Sequence, residues 1–537
     1  MKKQLIICTL LGLAATTAIA QDTYLNDRAT NTSDVIGTAR YVGMGGAMGA
    51  LGADISVMSN NPAGIALFRR NSASMTLGTQ IQGEKTGNDD NAATFSFDQM
   101  GLVFCMDNDE DFRLNLGFNY QKRINYNQSY LIGQATGGLS QADMFAWVAN
   151  STATEDKGQY FFGSPFYDNL YTAYRYTSGG EDFGFFKERY AAGTANNYFR
   201  NLCRGTEGYY YRHSWGSVSG FDINISASIQ ERYYVGLTVG IDHMRYRQSA
   251  SYEELGDNPY VLYQDQKLDG TGFNIKLGAI VRPIEESPLR FGVAIETPTW
   301  FALKHNAWAA LSTIQADGRY SKPSYMDDDN YLEYNVYTPW KFRASVGSTV
   351  DKYLAWDIEY EYSMNNWTKM GYPNEGSDYH NNSAVTSMNK DRAMNDMTHR
   401  MVQGVHNFRA GVEFRPADDF AVRIGYNFFS RPFKKSARLD QSNDSPAFDW
   451  STSTEYINLG STNMITLGLG YQGKNFYADV AYKYRMQRGQ FYAFDDNFTS
   501  YNESFYTENP GLKDAQLSPT NVNLDRHHIS LTLGYRF

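Results

Sequence analysis

The side chains here with chemistry to offer are eight histidines, two cysteines beyond residue 20, and charges set inside apolar segments. The histidines are His213, His243, His305, His380, His399, His406, His527 and His528. None stands in a recognisable motif with a nucleophile. His527 and His528 are strand neighbours pointing to opposite faces, which spoils them as a chelating pair. Cys105 and Cys203 make neither a disulfide framework nor a metal cluster. Gly43-x-Gly45 starts like a dinucleotide loop, but Met48 stands where the third glycine belongs and no strand precedes it. The residues therefore predict no catalytic group, no metal, no cofactor and no enzyme. What remains is electrostatic. Arg113, Lys276, Arg290, Lys341, Arg343, Glu359, Arg409, Glu413, Arg423, Asp479, Lys483 and Arg485 each alternate with apolar neighbours. Basic members such as Arg113 or Arg409 have the chemistry to pair with a carboxylate.

Such charges need elements that aim them away from lipid or core. In His528 to Phe537, Ile529, Leu531, Leu533, Tyr535 and Phe537 share one face, and Ser530, Thr532, Gly534 and Arg536 the other. Strict period-two alternation predicts a half-apolar strand. Fourteen segments follow it, near 72–82, 96–106, 112–123, 220–230, 233–247, 271–282, 289–300, 340–350, 353–364, 407–415, 420–429, 462–472, 476–487 and 527–537. Each approaches the ten or so residues a tilted membrane strand needs. Short links (107–111, 230–232, 283–288, 350–352, 416–419, 473–475) alternate with long ones, the longest about 124–219. Short turns on one side and long loops on the other are the habit of an outer-membrane barrel, and an even strand count leaves both ends periplasmic. The fold class read from this is all-β: a fourteen-stranded antiparallel transmembrane β-barrel, with the charges facing the lumen.

Composition narrows the class. The 537 residues hold 41 Tyr, 32 Phe and 47 Gly against 14 Pro, and carry a net charge of -10. A mean hydropathy of -0.51 excludes a helical membrane protein, and the acidic balance argues against nucleic acid. Lys2 and Lys3, an apolar run from Leu5 to Ala15 and Ala18-Ile19-Ala20 predict an export signal over 1–20.

About fifty residues (21–71) precede the first strand, rich in small side chains, with Asp54 and an Asn61-Pro62-Ala63-Gly64 turn. Small residues let a backbone pack closely against something else, so these predict an ordered insert in the lumen, with 72–537 as the barrel. The run Arg40 to Gly49, with Asp54 and Asn61 to Gly64, resembles the hatch signature of the FadL family of outer-membrane transporters for long-chain fatty acids and other hydrophobic compounds. Thr297-Pro298-Thr299-Trp300, Asn407 to Gly411, Arg423 to Tyr426 and the final Phe537 extend the likeness over the mature chain. It implies a hatch built on Gly43, Gly45, Gly46, Gly49, Asp54, Asn61, Pro62, Ala63 and Gly64. It also implies a lateral gap at a kink in the third strand, with Gly117 as the matching residue beside the lumen candidates Arg113 and Arg409, and a monomer.

The 124–219 loop carries two helix starts, Ser140 and Ser164-Pro165. Met144, Phe145, Trp147, Val148, Phe166, Leu170, Tyr171 and Tyr174 follow them as candidate ligand-capture residues. Solvation sets the mechanism such residues would serve. Each methylene carries about 0.8 kcal/mol of transfer energy, so a chain of about fourteen holds roughly 11 kcal/mol and will not cross a polar lumen unaided. The reading is passive uptake: external capture, hatch movement, and lateral release into the bilayer. The partners expected are a hydrophobic small molecule, outer-membrane lipid and, through Phe537, the barrel-assembly machinery. A haem or aromatic-compound receptor on the same scaffold and a surface adhesin or structural barrel are the alternatives.

Overall fold

A computed structural model describes residues 34–82, 93–107, 111–145, 154–156, 159–161, 204–256, 259–314, 318–320, 324–325, 330–373, 389–439, 452–501 and 510–537. Its main sheet is antiparallel and closed, a barrel of fourteen strands. They are β1 (Ser72–Gln82), β2 (Ala93–Asp107), β3 (Phe112–Asn125, resumed over Gln128–Ala135), β4 (Gly205–Ile229), β5 (Tyr233–Gly256), β6 (Tyr260–Val281) and β7 (Arg290–Glu296, resumed over Trp300–Thr313). There follow β8 (Asn330–Tyr337, resumed over Lys341–Val350), β9 (Leu354–Ser363), β10 (Val405–Ala417), β11 (Phe420–Phe429), β12 (Tyr456–Gln472), β13 (Phe476–Tyr492) and β14 (Thr520–Asn523, resumed over Arg526–Arg536). Closure comes from β1 on β14, in register from Ser72↔Arg536 to Gln82↔Arg526. Among the described residues no helix is long and apolar enough to cross a membrane; the crossing elements are strands.

The outer wall carries an apolar band. Phe221, Ile223, Ile225 and Ile229 on β4, and Tyr233, Val235 and Ile241 on β5, are exposed, as lipid contact requires. All the predicted segments are strands, but β4, β5 and β6 run to 25, 24 and 22 residues. At about 3.3 Å per residue, β4 spans roughly 80 Å, far beyond a band of about 25 Å. Parts of the stretches read as loops (124–219, 248–270, 301–339) are strand, and the reason is a reversal of phase. Up to Asp242, β5 points apolar residues out and polar ones in. Beyond it, Met244, Tyr246 and Tyr252 point in and are buried, while Arg245 stands outside. The half of the barrel near the long loops thus acquires an apolar interior. Into it dips a helix, α1 (Arg392–Met401), N-capped by Asp391, whose Met394, Met397 and Met401 are buried with Tyr334, Phe301 and Phe433.

The other half is filled by the N-terminal segment. Thr38 caps the short helix Ala39–Gly43 and donates its hydroxyl to Asp54 at 2.7 Å. Asp54 caps the 3-10 turn Ile55–Ser59, and Asn61 caps Pro62–Leu67. Gly45 and Gly46, at φ 63° and 79°, make the left-handed bend that ends the first helix. Val35, Val42, Met48, Val57 and Ile65 are buried against the wall.

Candidate functional site

The wall around the N-terminal segment is built to receive backbone. Gln121 Nε2 donates to Ile36 O (2.6 Å), Asn115 Nδ2 to Ile65 O (2.7 Å) and Thr466 Oγ1 to Gly43 O (3.0 Å), and Asp357 Oδ2 accepts from the amides of Ala50 and Leu51 (2.9 Å each). Inward-facing glycines allow the approach. A Cβ on Gly236 would lie 2.4 Å from Pro62 C, and one on Gly425 2.2 Å from Gly45 N. Gly49 and Gly64 serve the same end inside the segment, each meeting wall or segment atoms within 3 Å of where a Cβ would stand.

The charges form ladders. Glu413 takes Arg40 at 2.9 Å, Arg423 at 2.6 Å and Arg415 at 2.8 Å, and Arg423 reaches Asp479 at 2.6 Å. Arg343 bridges Glu296 (2.6 Å) and Glu361 (2.5 Å), and Arg409 binds Glu359 and, at 2.9 Å, Glu361. Lys276 and Arg123 share Asp222, at 3.3 and 2.5 Å. Burial opposes charge on Arg40, yet Glu413 overcompensates and raises its pKa. Burial pushes Asp54 up against the pull of Arg40.

Above this girdle and below the methionine helix lies a cavity of about 190 Å³. Its floor is Asp34, Ile36, Tyr41 and Asn60 of the N-terminal segment. Lys122, Arg123, Lys341, Arg343 and Arg409 line the polar wall, and Ile124, Val218, Phe301 and Phe429 the apolar one. The cavity is amphipathic, with charged side chains of both signs low, Asp242, Glu296 and Glu361 among them, and apolar side chains high.

Beside it the wall opens. β2 and β3 pair from Asp107↔Arg113 only as far as Gln99↔Gln121 among the described residues. Beyond that rung β3 shifts register on β4 between Lys122 and Ile124, leaving Arg123 bulged, and breaks at Tyr126–Asn127. Its carbonyls are then taken by inward-facing side chains of the strands on the far side of β2. Gln80 Nε2 donates to Asn127 O at 2.7 Å and Arg526 Nη1 to Asn125 O at 2.8 Å. The upper part of β3 has thus moved inside the barrel, leaving an edge of β2 without a strand partner among the described residues. Among the described residues the gap is bridged by side chains: Lys122 Nζ donates to Ser96 Oγ at 2.7 Å, and the ring centroids of Phe97 and Tyr120 lie 5.4 Å apart.

The sequence-predicted residues fall as follows. Gly43, Gly45, Gly46, Gly49, Asp54, Asn61, Pro62, Ala63 and Gly64 all lie in the buried N-terminal segment. Arg409 lines the cavity, but Arg113 sits at the short-turn end, 3.5 Å from Glu231. Gly117 is regularly paired on both sides and leaves room for Met58, so the irregularity of β3 lies instead at Arg123. Met144 and Phe145 are fully buried in a cluster capping the long-loop end, with Tyr210, Tyr252 and Phe494. Trp147, Val148, Phe166, Leu170, Tyr171 and Tyr174 lie outside the described residues. Phe537 is exposed at the short-turn end and donates its amide to Asn71 O at 3.1 Å. Sequence reasoning missed Lys122, Arg123 and the methionine helix; for the last, Asp391 followed by methionines at 394, 397 and 401 was an available signal.

In the cap, Glu254 lies thirteen residues beyond the apolar band on β5. It accepts from the Ser140 hydroxyl, Gln141 N (2.9 Å) and Tyr252 OH (3.0 Å). Burial pushes its carboxyl up to about 7, against the pull of these donors.

No protein-family model matches the chain, and no curated protein does. Solved structures do. A FadL homologue from Pseudomonas aeruginosa aligns at 12% identity and a TM-score of 0.50, over 94% of this chain and 99% of that one. The toluene transporters TodX of P. putida and TbuX of Ralstonia pickettii align over the same shares at 12% identity, with TM-scores of 0.46 and 0.45.

Proposed function

With the fold of a FadL channel as premise, we propose that this chain is an outer-membrane transporter for long-chain fatty acids or similar hydrophobic small molecules. Both termini and the short turns lie in the periplasm, and the chain acts as a monomer inserted by the assembly machinery that reads Phe537. Ligand is captured outside, by residues that include Trp147 and Phe166, and descends past the methionine helix into the cavity. There the N-terminal hatch gives way and the ligand leaves sideways into the bilayer, so that its methylenes never re-enter water.

The observation that carries this reading is the departure of β3 from β2 beyond Gln99↔Gln121, beside an amphipathic cavity. Six cations against four carboxylates line the cavity, and this excess of positive charge supports an amphiphile with an anionic head over a neutral aromatic compound.

The test closes the gap. Ser96→Cys and Lys122→Cys, in a chain whose Cys105 and Cys203 are replaced by serine, are joined by a cleavable bifunctional maleimide. Uptake of labelled oleate by cells displaying the joined protein is expected to stop and to return on cleavage. Undiminished uptake through the joined protein would refute lateral release.

A further inference from the structure

The outer face of β4 to β8 changes character in order as the strands climb past the apolar band. The last apolar rung runs Phe221↔Ile241↔Phe273↔Trp300↔Tyr337, with the rings of Phe273 and Trp300 stacked at 5.5 Å. A polar rung follows, and then a charged one, Arg245↔Asp269↔Lys304↔Glu333, with Arg247↔Lys267 directly above it. On these two rungs four cations meet two carboxylates, and Asp265 stands one rung higher. Arg247 takes Asp269 at 2.9 and 2.7 Å, and Lys304 takes Glu333 at 3.0 Å. Arg245 and Lys267 are exposed and have no carboxylate within ion-pair distance among the described residues. Lys267 even faces Arg247 across the ladder, a like-charge pair that costs stability unless an anion joins it. Level with and above these cations, Trp215, Tyr209 and Tyr263 stand exposed on β4 and β6.

The height of the cations fits a lipid headgroup. Four residues separate Arg245 from Ile241, which at about 3.3 Å per residue and a tilt of about 40° is a rise of roughly 10 Å. The headgroup layer is roughly 5–8 Å deep on each side of a bilayer, and a long basic side chain can lie back along the wall to place its head there. Arg245 and Lys267 are diagonal neighbours on adjoining strands, roughly 7–8 Å apart at the backbone, so their side chains can close on one phosphate. We propose that this face of the wall docks a phosphorylated glycolipid of the outer leaflet. Its acyl chains lie on the apolar band, a phosphate joins Arg245 to Lys267, and its sugars lay their flat apolar faces on Trp215 and Tyr263. Acyl chain, phosphate and sugar follow one another in such a lipid in the order in which apolar, cationic and aromatic side chains follow one another on the wall. The inference needs only the outer-membrane barrel and is independent of what the cavity carries.

The experiment uses the full chain, immobilised in a non-ionic detergent, with purified lipopolysaccharide as probe, either intact or with its phosphates removed. Retained lipid is measured by its fatty-acyl content. The native chain should hold the intact form about tenfold more tightly than the dephosphorylated one. Arg245→Gln combined with Lys267→Gln should abolish that difference, while Arg488→Gln, which removes an exposed cation of β13, should preserve it. Trp215→Ser should weaken retention of the sugar-bearing form and spare a form trimmed to its lipid anchor. Equal retention of the two forms by the native chain, or a difference that survives in the double variant, would overturn the proposal. So would an equal loss in Arg488→Gln, which would mean diffuse attraction, or displacement of the lipid by inorganic phosphate, which would mean a site for the free ion. An equal loss of both sugar forms in Trp215→Ser would overturn the sugar contact. Should the double variant fail to assemble into a heat-modifiable barrel, the intact and dephosphorylated pair on the native chain still decides.

Discussion

The close approach of wall and N-terminal segment at inward glycines makes one prediction that can be worked from distances. In Gly236→Ala the new methyl would stand 2.4 Å from Pro62 C and 2.6 Å from Ala63 N. In Gly425→Ala it would stand 2.2 Å from Gly45 N and 2.4 Å from Met44 C. These are backbone atoms in a buried segment, so no rotamer relieves the contact. The segment must move by about 1 Å to restore ordinary separation, and such overpacking costs about 1–3 kcal/mol. Local opening should then increase roughly 5- to 150-fold, each 1.4 kcal/mol or so being a factor of ten. Hydrogen exchange with mass spectrometry reads this in place: Gly236→Ala should lose protection over 55–67, and Gly425→Ala over 39–48. Neither should loosen the strands themselves. Gly473→Ala, in a short turn where the nearest atom would be Phe476 O at 3.2 Å, is the control. If Gly236→Ala and Gly425→Ala exchange as slowly as the native chain over those stretches, wall glycines do not set the fit of the segment.

Two further outcomes follow from the charges. Glu413→Gln leaves Arg40, Arg415 and Arg423 facing one another without their shared carboxylate. Because Arg40 and Arg415 are partly exposed, the expected loss is roughly 2–4 kcal/mol, below the full cost of a buried orphan charge, read as a drop in the temperature at which the barrel loses its heat-modifiable mobility. Glu254 gives a pH dependence. Its pKa is higher folded than unfolded, so the folded state loses stability as pH rises from the ordinary carboxylate range to about 7, and the loss levels off above that. Cap stability, followed by exchange over Gln141–Phe145, should fall by about 3 kcal/mol at most between pH 5 and pH 8, and Glu254→Gln should flatten the profile; an unchanged profile in that variant would exclude Glu254 as the titrating group.

How much of this was legible in the sequence depends on which solvent each face meets. Within the apolar band, lipid outside and charge inside produce the alternation seen from Phe112 to Gln121, and segments such as 72–82 and 420–429 coincide with strands to the residue. Above the band the outside is water and the inside is core. The alternation continues with its sense reversed, so the stretch from Gln248, with Ala250 and Tyr252 pointing inward, read as loop although it belongs to one long strand. The burial of the N-terminal segment inside the barrel was legible through its small residues and its Asn-Pro turn, because both are local. The gap was not. Gly117 drew attention as a glycine on the third strand, but what turns β3 inward is a bulge at Arg123 held by carbonyl contacts from Gln80 and Arg526, hundreds of residues away in one case. No local signal encodes a partner that distant.

The position of the cavity follows from the same two solvents. A barrel of this width has more interior than its wall side chains can fill, and the chain fills it twice, by different means. Near the short turns the filler is backbone, whose amides and carbonyls demand partners, so the wall there is polar and charged: Asn115, Gln121, Asp357, Arg343. Near the long loops the filler is apolar, Met394, Met397 and Met401 against Tyr334 and Phe301, and the wall there is apolar too. Neither filler packs well against the other, because burying a charge ladder under methionine would strand its polar groups. The space between them stays open for that reason, and it is amphipathic because each filler presents its own face to it. Since β3 turns inward at that level, this space, suited to a molecule with a charged head and an apolar tail, meets the edge of the wall.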